Sequence, residues 1–412
     1  MKNQQLLQRD FIGFQTYTAF SALAEGMQSV IVLWLVFQIT HSPLAVSLTV
    51  IAGYLPSAIM GFFLLSFADV RNPASQLTVS NGILTLSAFF LPLFFLFSVT
   101  KPILLMLAVV TMQCILSLVK MFNKISVNRI VRDNFTLEVG SKMLQISASN
   151  IQISQTVGAA LGGVFLTLNY GNSGLFVTGI FYAASTIAAS FFASFTLSVS
   201  PITNHINKKR RKLLDKTYLF NVFRRKELSL ILLFSIPSSG AFQFVNTSLP
   251  PLADIFSKSD ANFYALLNLS CMISGFLSGL LLSRKTFSEK FVLNHALLIS
   301  AIIILFMIES NNKYLVAALL FWVTLFITCH IICIQVKCNQ IPEQQDVGKF
   351  IMLRTSIASI SKIFFSLGAG VLLSFFSLKT TYYLMVSILL LFSLQWYLFG
   401  RGVFNKEIKN YE

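Results

Sequence analysis

This chain carries little charge for its length. Only 11% of its 412 residues are Asp, Glu, Lys or Arg, whereas 55% are hydrophobic. A soluble domain carries about 25% charged residues to cover its surface, so composition excludes an ordinary soluble protein. Acids are scarcest, 15 against 31 basic residues. Histidine is limited to His41, His205, His295 and His330, scattered over loops and separate helices with no acid or nucleophile at a useful spacing. No catalytic constellation results, and the chain is not read as an enzyme. There is no Gly-x-x-x-x-Gly-Lys-Ser/Thr segment, which excludes ATP use through that phosphate-binding loop. The five cysteines make no disulfide framework: Cys114 and Cys271 stand alone in separate helices. Cys329, Cys333 and Cys338 lie closer together beside His330, and are read as small apolar helix residues rather than metal ligands. No cofactor or metal is implied.

What the chain has in abundance is long apolar runs. A run of about 20 residues crosses about 30 Å of hydrocarbon as a helix, the form that satisfies its own backbone there. Twelve spans are expected, at about 11–39, 44–68, 75–99, 102–121, 145–168, 174–198, 228–249, 261–283, 291–308, 314–336, 350–376 and 379–399. The fold class is therefore an all-α integral membrane protein. Lys2 and Arg9 before the first run imitate a signal peptide, but Gln15, Thr16 and Thr18 interrupt it and it continues past Ala24. It is read as an uncleaved helix. The charged stretch 200–227 divides the spans into two sets of six, 1–199 and 228–412.

Positive charge fixes the orientation. With both termini inside, the outer loops hold only Lys101, Lys258, Lys313 and Lys379, and nearly all other Lys and Arg fall on the cytoplasmic side. The same bias accounts for the net charge of +16 without nucleic acid as a partner. The dense run NKKRRKLLDK, 207–216, suits anionic lipid headgroups.

Residues 19–37 read AFSALAEGMQSVIVLWLVF, almost wholly apolar, with Glu25 near the middle. A charge at a span's centre costs about 2.5–3.5 kcal/mol to insert and marks a functional position by default. Gln15, Thr18, Ser21, Glu25 and Gln28 recur at helical spacing and share one face, which must look into the bundle or a water-filled cavity. Glu25 is the candidate proton-coupling group; the alternative is a structural acid hydrogen-bonded across the bundle. In the eleventh span Thr355, Ser359, Lys362 and Ser366 form a comparable face. Lys362 lies nine residues past Leu353, about 13 Å along the helix, too deep to snorkel. It is expected to bridge to Glu25 or to attract an anionic group of a substrate. Ser235, Ser239, Gln243 and Asn246 line a face of the seventh span. Gln28, Trp34, Gln243, Asn246 and Lys362 are the substrate-binding candidates. Ser154, Gly158 and Gly162, four apart, form a small-residue face for close helix packing.

SALAEGMQSVIVLWLVFQITHSPLAVSL, 21–48, resembles the opening of the drug- and siderophore-exporting branch of the major facilitator superfamily, which includes the enterobactin exporter and the macrolide-efflux proteins. Ser21, Glu25, Gly26, Trp34, Thr40, Ser42, Pro43 and Leu44 carry the likeness. The family's motif after the second helix is matched in part by Gly61, Asp69 and Arg71, with Leu65 and Val70 as departures. GAALGG, 158–163, resembles the exporters' Gly-Pro-x-x-Gly-Gly element with Ala159 for proline, and IPEQQDVGKF, 341–350, resembles their turn before the eleventh helix, with Lys349 for arginine.

The resemblance implies two six-helix halves with a substrate site between them near the midplane. Asp69, Arg71 and Lys349 would then be gating residues, Asp69 latching to the start of the eleventh helix. The expected function is proton-coupled efflux of a small organic molecule, a siderophore or a drug such as a macrolide, by alternating access. It would take place in a bacterial inner membrane, with both termini cytoplasmic. An importer of a metabolite or metal chelate, or a non-transporting membrane sensor, are the alternatives.

Overall fold

The computed structural model describes residues 2–60, 73–97, 102–135, 137–198, 216–258, 260–284, 286–342 and 347–400. The described residues form a series of helices: α1 Lys2–Thr40, α2 Pro43–Met60, α3 Pro73–Phe97, α4 Pro102–Asn134, α5 Leu137–Thr167, α6 Gly171–Ser198, α7 Lys216–Arg224, α8 Lys226–Ser257, α9 Ala261–Ser283, α10 Glu289–Glu309, α11 Lys313–Gln340, α12 Val347–Phe375 and α13 Leu378–Gln395, the last running into a π-helical turn, Trp396–Gly400. Each expected span overlaps one helix, with residues 61–68 of the second and 98–99 of the third outside the described residues, and α4 running on to Asn134. The short α7, inside the stretch read as a linker, is the addition. Among the described residues ten helices are long and apolar enough to cross a membrane, and the shorter α2 is apolar as well.

Local chemistry sets the helix ends. Helices α2, α3 and α4 each begin on proline, whose fixed φ and missing N–H suit a first turn. Asp260, Ser288, Asn312 and Ser377 cap α9, α10, α11 and α13, each side chain accepting from a backbone N–H of the first turn. Pro56, Pro92, Pro237, Pro250 and Pro251 lie inside helices, as membrane spans tolerate. Large apolar side chains such as Leu86, Phe90, Ile180, Phe191, Phe306 and Phe364 are more than half exposed. On a chain this apolar, such a surface belongs against lipid.

The chain divides into two compact units, residues 1–39 with 63–213 and residues 40–62 with 214–412. The core of the first joins Phe14 and Tyr17 of α1 to Leu77, Ile130, Val131, Met143 and Phe192, with the Phe14 and Phe192 ring centroids 5.3 Å apart. The second unit takes α2 with it. Its core gathers Leu228, Leu230, Ile231, Leu232, Phe234, Val292, Cys329, Cys333, Cys338, Phe350 and Trp396. The cysteines there act as small buried packing groups. Trp396 closes α13 onto its neighbours, with an edge-on contact to Phe234 at 4.7 Å and a hydrogen bond from its Nε1 to Asn294 Oδ1 at 2.8 Å.

Candidate functional site

Close contact between α1 and α5 places the first polar face. A methyl group on Gly26 would strike the Gln155 carbonyl, and one on Gly158 would strike the Leu23 carbonyl. One on Gly162 would come within 2.9 Å of the Met27 carbonyl oxygen. The small-residue face read on α5 therefore packs backbone to backbone on either side of Glu25.

That contact aims the α1 stripe at three other helices. Near its start, the Asn150 amide of α5 donates to the Gln15 carbonyl at 2.8 Å, and Gln15 Nε2 donates to the Met143 carbonyl at 3.3 Å. Glu25, at the middle of the span Phe11–Thr40, accepts the ammonium of Lys120 from α4 at 3.3 Å. One turn on, Tyr182 of α6 donates its hydroxyl to Gln28 Oε1 at 3.1 Å. The Lys120 ammonium also lies 6.0 Å from the Tyr182 ring centre, joining both contacts into one cluster. Tyr182 and Gln28 are buried, while the Glu25 and Lys120 side chains keep 43% and 29% of their exposure. The ion pair thus stands at the border between a dry hydrogen-bond network and accessible surface.

Gln28 is only half satisfied. Its Nε2 has no hydrogen-bond partner among the described residues. Phenylalanine at position 182 keeps the ring and removes the donor, so Tyr182→Phe leaves both ends of a buried amide unpaired. A loss of about 1–3 kcal/mol is expected, read as a lower unfolding midpoint. Adding Gln28→Leu should return much of it, because the unpaired amide is then gone. Equal midpoints for wild type and Tyr182→Phe would show that the bond contributes nothing.

The second polar face lies in the other unit, where α12 is fastened to α2 on one side and α8 on the other. Ser57 and Ser359 hydroxyls are 3.0 Å apart. Ser361 donates to the Ile236 carbonyl at 2.8 Å, and the Thr247 and Ser366 hydroxyls lie 2.9 Å apart. Between these ties Lys362 holds its ammonium 4.6 Å from the centre of the Tyr54 ring. A cation over an aromatic face gains about 0.5–1 kcal/mol when exposed and about 2 when desolvated. Inserting a lysine at a span's centre costs about 2.5–3.5 kcal/mol. The ring offsets only part of that cost.

Gln243 is buried and Asn246 half-buried on α8, and Trp34 is packed at 1% exposure. Asp69 and Arg71 lie outside the described residues, as does most of the basic run 207–216. Lys349 sits in the first turn of α12, its side chain outside the description. Among the described residues no three His, Cys, Asp or Glu side chains converge as a metal site.

Lys120 and Tyr182 were not singled out from sequence. Lys120 is three residues from the end of the apolar stretch Ile103–Asn123, where a lysine reads as one more cytoplasmic-end cation. Tyr182 and Tyr54 carry no signal apart from aromatic composition.

The described fold is similar to several solved transporters. A nucleoside transporter, NupG, superimposes with a TM-score of 0.68 at 12% identity, over 95% of this chain and 99% of that one. A POT family transporter solved with a thioalcohol-conjugated peptide gives 0.70 at 10% identity, over 96% of each chain. A D-xylose–proton symporter gives 0.63 at 13% identity, over 95% and 97%. No match was found among curated protein sequences. At these identities the likeness establishes the fold. The Major Facilitator Superfamily family model matches residues 16–366, most of the chain, and this protein belongs to that family of multi-pass membrane transporters.

Proposed function

We propose that the protein is a proton-coupled exporter of a small organic molecule, working by alternating access between two six-helix halves. The observation that carries this reading is the Glu25–Lys120 pair. An ion pair with this much exposure contributes at most about 1 kcal/mol to stability. Placing a charge at mid-span costs more than that, so fold stability alone does not account for it. A proton on Glu25 cancels the carboxylate charge and releases Lys120, changing the local charge balance in a unit that must reorient. Protonation would then favour one orientation, and deprotonation with cargo bound the other.

Export, rather than uptake, is supported by the likeness of residues 21–48 and 158–163 to the exporter branch. The cargo class follows the same likeness, a siderophore or a hydrophobic drug such as a macrolide. Asp69, Arg71 and Lys349 are assigned to gating, and the protein to a bacterial inner membrane, on that basis; the positive-inside bias supports cytoplasmic termini. A symporting importer is the second reading, favoured by the similarity to a D-xylose–proton symporter. Flux of a labelled macrolide and a labelled siderophore decides between them in proteoliposomes of sorted orientation with an imposed pH gradient. Proton influx should drive cargo outward with respect to the cytoplasmic face. Movement of cargo in the same direction as the proton would establish the importer, and flux indifferent to the gradient would remove proton coupling.

A further inference from the structure

One mid-span charge has no part in that proton step. Lys362 stands within two residues of the middle of the span Leu353–Phe375. Its ammonium rests over Tyr54, and no carboxylate among the described residues lies within ion-pair distance of it. An ammonium has three donors and no acceptor. The Tyr54 ring can face one side of it without neutralising its charge. Around it the helices are pinned: Ser359 to Ser57, Ser361 to the Ile236 carbonyl and Ser366 to Thr247. Ser57 also donates to the Tyr54 carbonyl at 2.8 Å, tying the turn that carries the ring. The side chain is half-buried, so the charge is held at a defined place, partly desolvated, with an aromatic wall and open donors. A preorganised cation of this kind suits an anionic oxygen group attached to an apolar or aromatic body.

We infer that Lys362 and Tyr54 form the anion subsite of the cargo site, receiving a carboxylate of an organic acid. This inference rests on the transporter reading and narrows its substrate class. The ammonium supplies charge recognition, and the Tyr54 ring fixes the ammonium and offers its edge to the body of the acid.

The test is a thermal-unfolding titration of the full-length protein in lipid nanodiscs. The probes are benzoate, 1-naphthoate and decanoate, each against its primary amide at matched ionic strength, with inorganic phosphate as a further arm. At least one carboxylate is expected to raise the wild-type midpoint while its amide does not. Lys362→Gln should weaken that carboxylate at least tenfold, and Lys362→Arg should keep most of the effect. The inference is overturned if no carboxylate stabilises wild type, if amides match acids, if phosphate alone reproduces the shift, or if Lys362→Gln responds as wild type does. The acid-against-amide comparison on wild type stands even where the Gln variant does not fold. Gradient-driven flux of a carboxylate cargo, undiminished in Lys362→Gln, would remove the anion subsite and leave the transporter intact. Acid-selective binding without any flux would do the reverse.

Discussion

Glu25→Gln is expected to abolish proton-driven accumulation while sparing exchange of cargo across a membrane without a gradient. Glutamine keeps the size and the hydrogen-bonding oxygen but cannot bind or release the proton. With one proton per cargo, a gradient of two pH units supplies about 2.7 kcal/mol, enough for a roughly hundredfold concentration ratio. The variant should fall to a ratio of about one. Lys120→Gln is the informative partner, because it leaves the Glu25 carboxylate in place; slower flux that still responds to the gradient is expected. Accumulation by Glu25→Gln equal to wild type, measured in the same proteoliposomes, would exclude Glu25 as the coupling group and leave the family assignment untouched. Loss of exchange as well as accumulation would mean that Glu25 holds the cargo or the fold instead.

Gly158→Ala is expected to lower the unfolding midpoint by several degrees. The added methyl would overlap the Leu23 carbonyl, a backbone group that cannot turn aside, so α1 and α5 must separate. Overpacking of this kind costs about 1–3 kcal/mol, and more where the obstacle is rigid. Gly26→Ala meets the Gln155 carbonyl at the same contact and should behave alike. The double variant should cost less than the two losses together, since helices parted once accommodate the second methyl easily. Gly82 and Gly279 are the controls. A methyl on either meets nothing within 4 Å, and alanine there should be neutral or stabilising by about 0.5–1 kcal/mol through its better helix propensity. Gly158→Ala as stable as Gly82→Ala would contradict the backbone contact. The same separation would shift the α1 segment bearing Glu25, so proton-driven flux should fall along with stability.

The sequence was most informative where the solvent imposes the rule. Hydrocarbon forces every backbone group to bond within its own segment, and each apolar run therefore falls on a helix, although α1, α4, α5 and α8 run eight residues or more beyond the expected ends. Helical periodicity likewise revealed the polar face of α1 and the small-residue face of α5, because a 3.6-residue repeat is a property of the chain itself. Lys362 stood out for the same reason, as a charge too far from either helix end to reach water.

Partnership was not legible in this way. Glu25 meets Lys120 because α4 packs beside α1 in the first unit, and nothing in the spacing of either helix states which neighbour it will have. Along α4 alone Lys120 is a cation near a span end, and only its contact with α1 brings it level with an acid at the centre of another span. Tyr182 is a core aromatic by composition, and its role comes from the single hydroxyl that reaches Gln28. Helix α2, apolar like its neighbours, gave no sign that it belongs with α8 and α12 in the second unit; the contact of Ser57 with Ser359 and the close approach of Gly370 to Ser47 place it there. Sequence by itself determined which segments are helices and which faces are polar, since these depend on local periodicity and on the solvent. Tertiary structure decided which polar groups face one another, since that depends on contacts between segments distant in the chain.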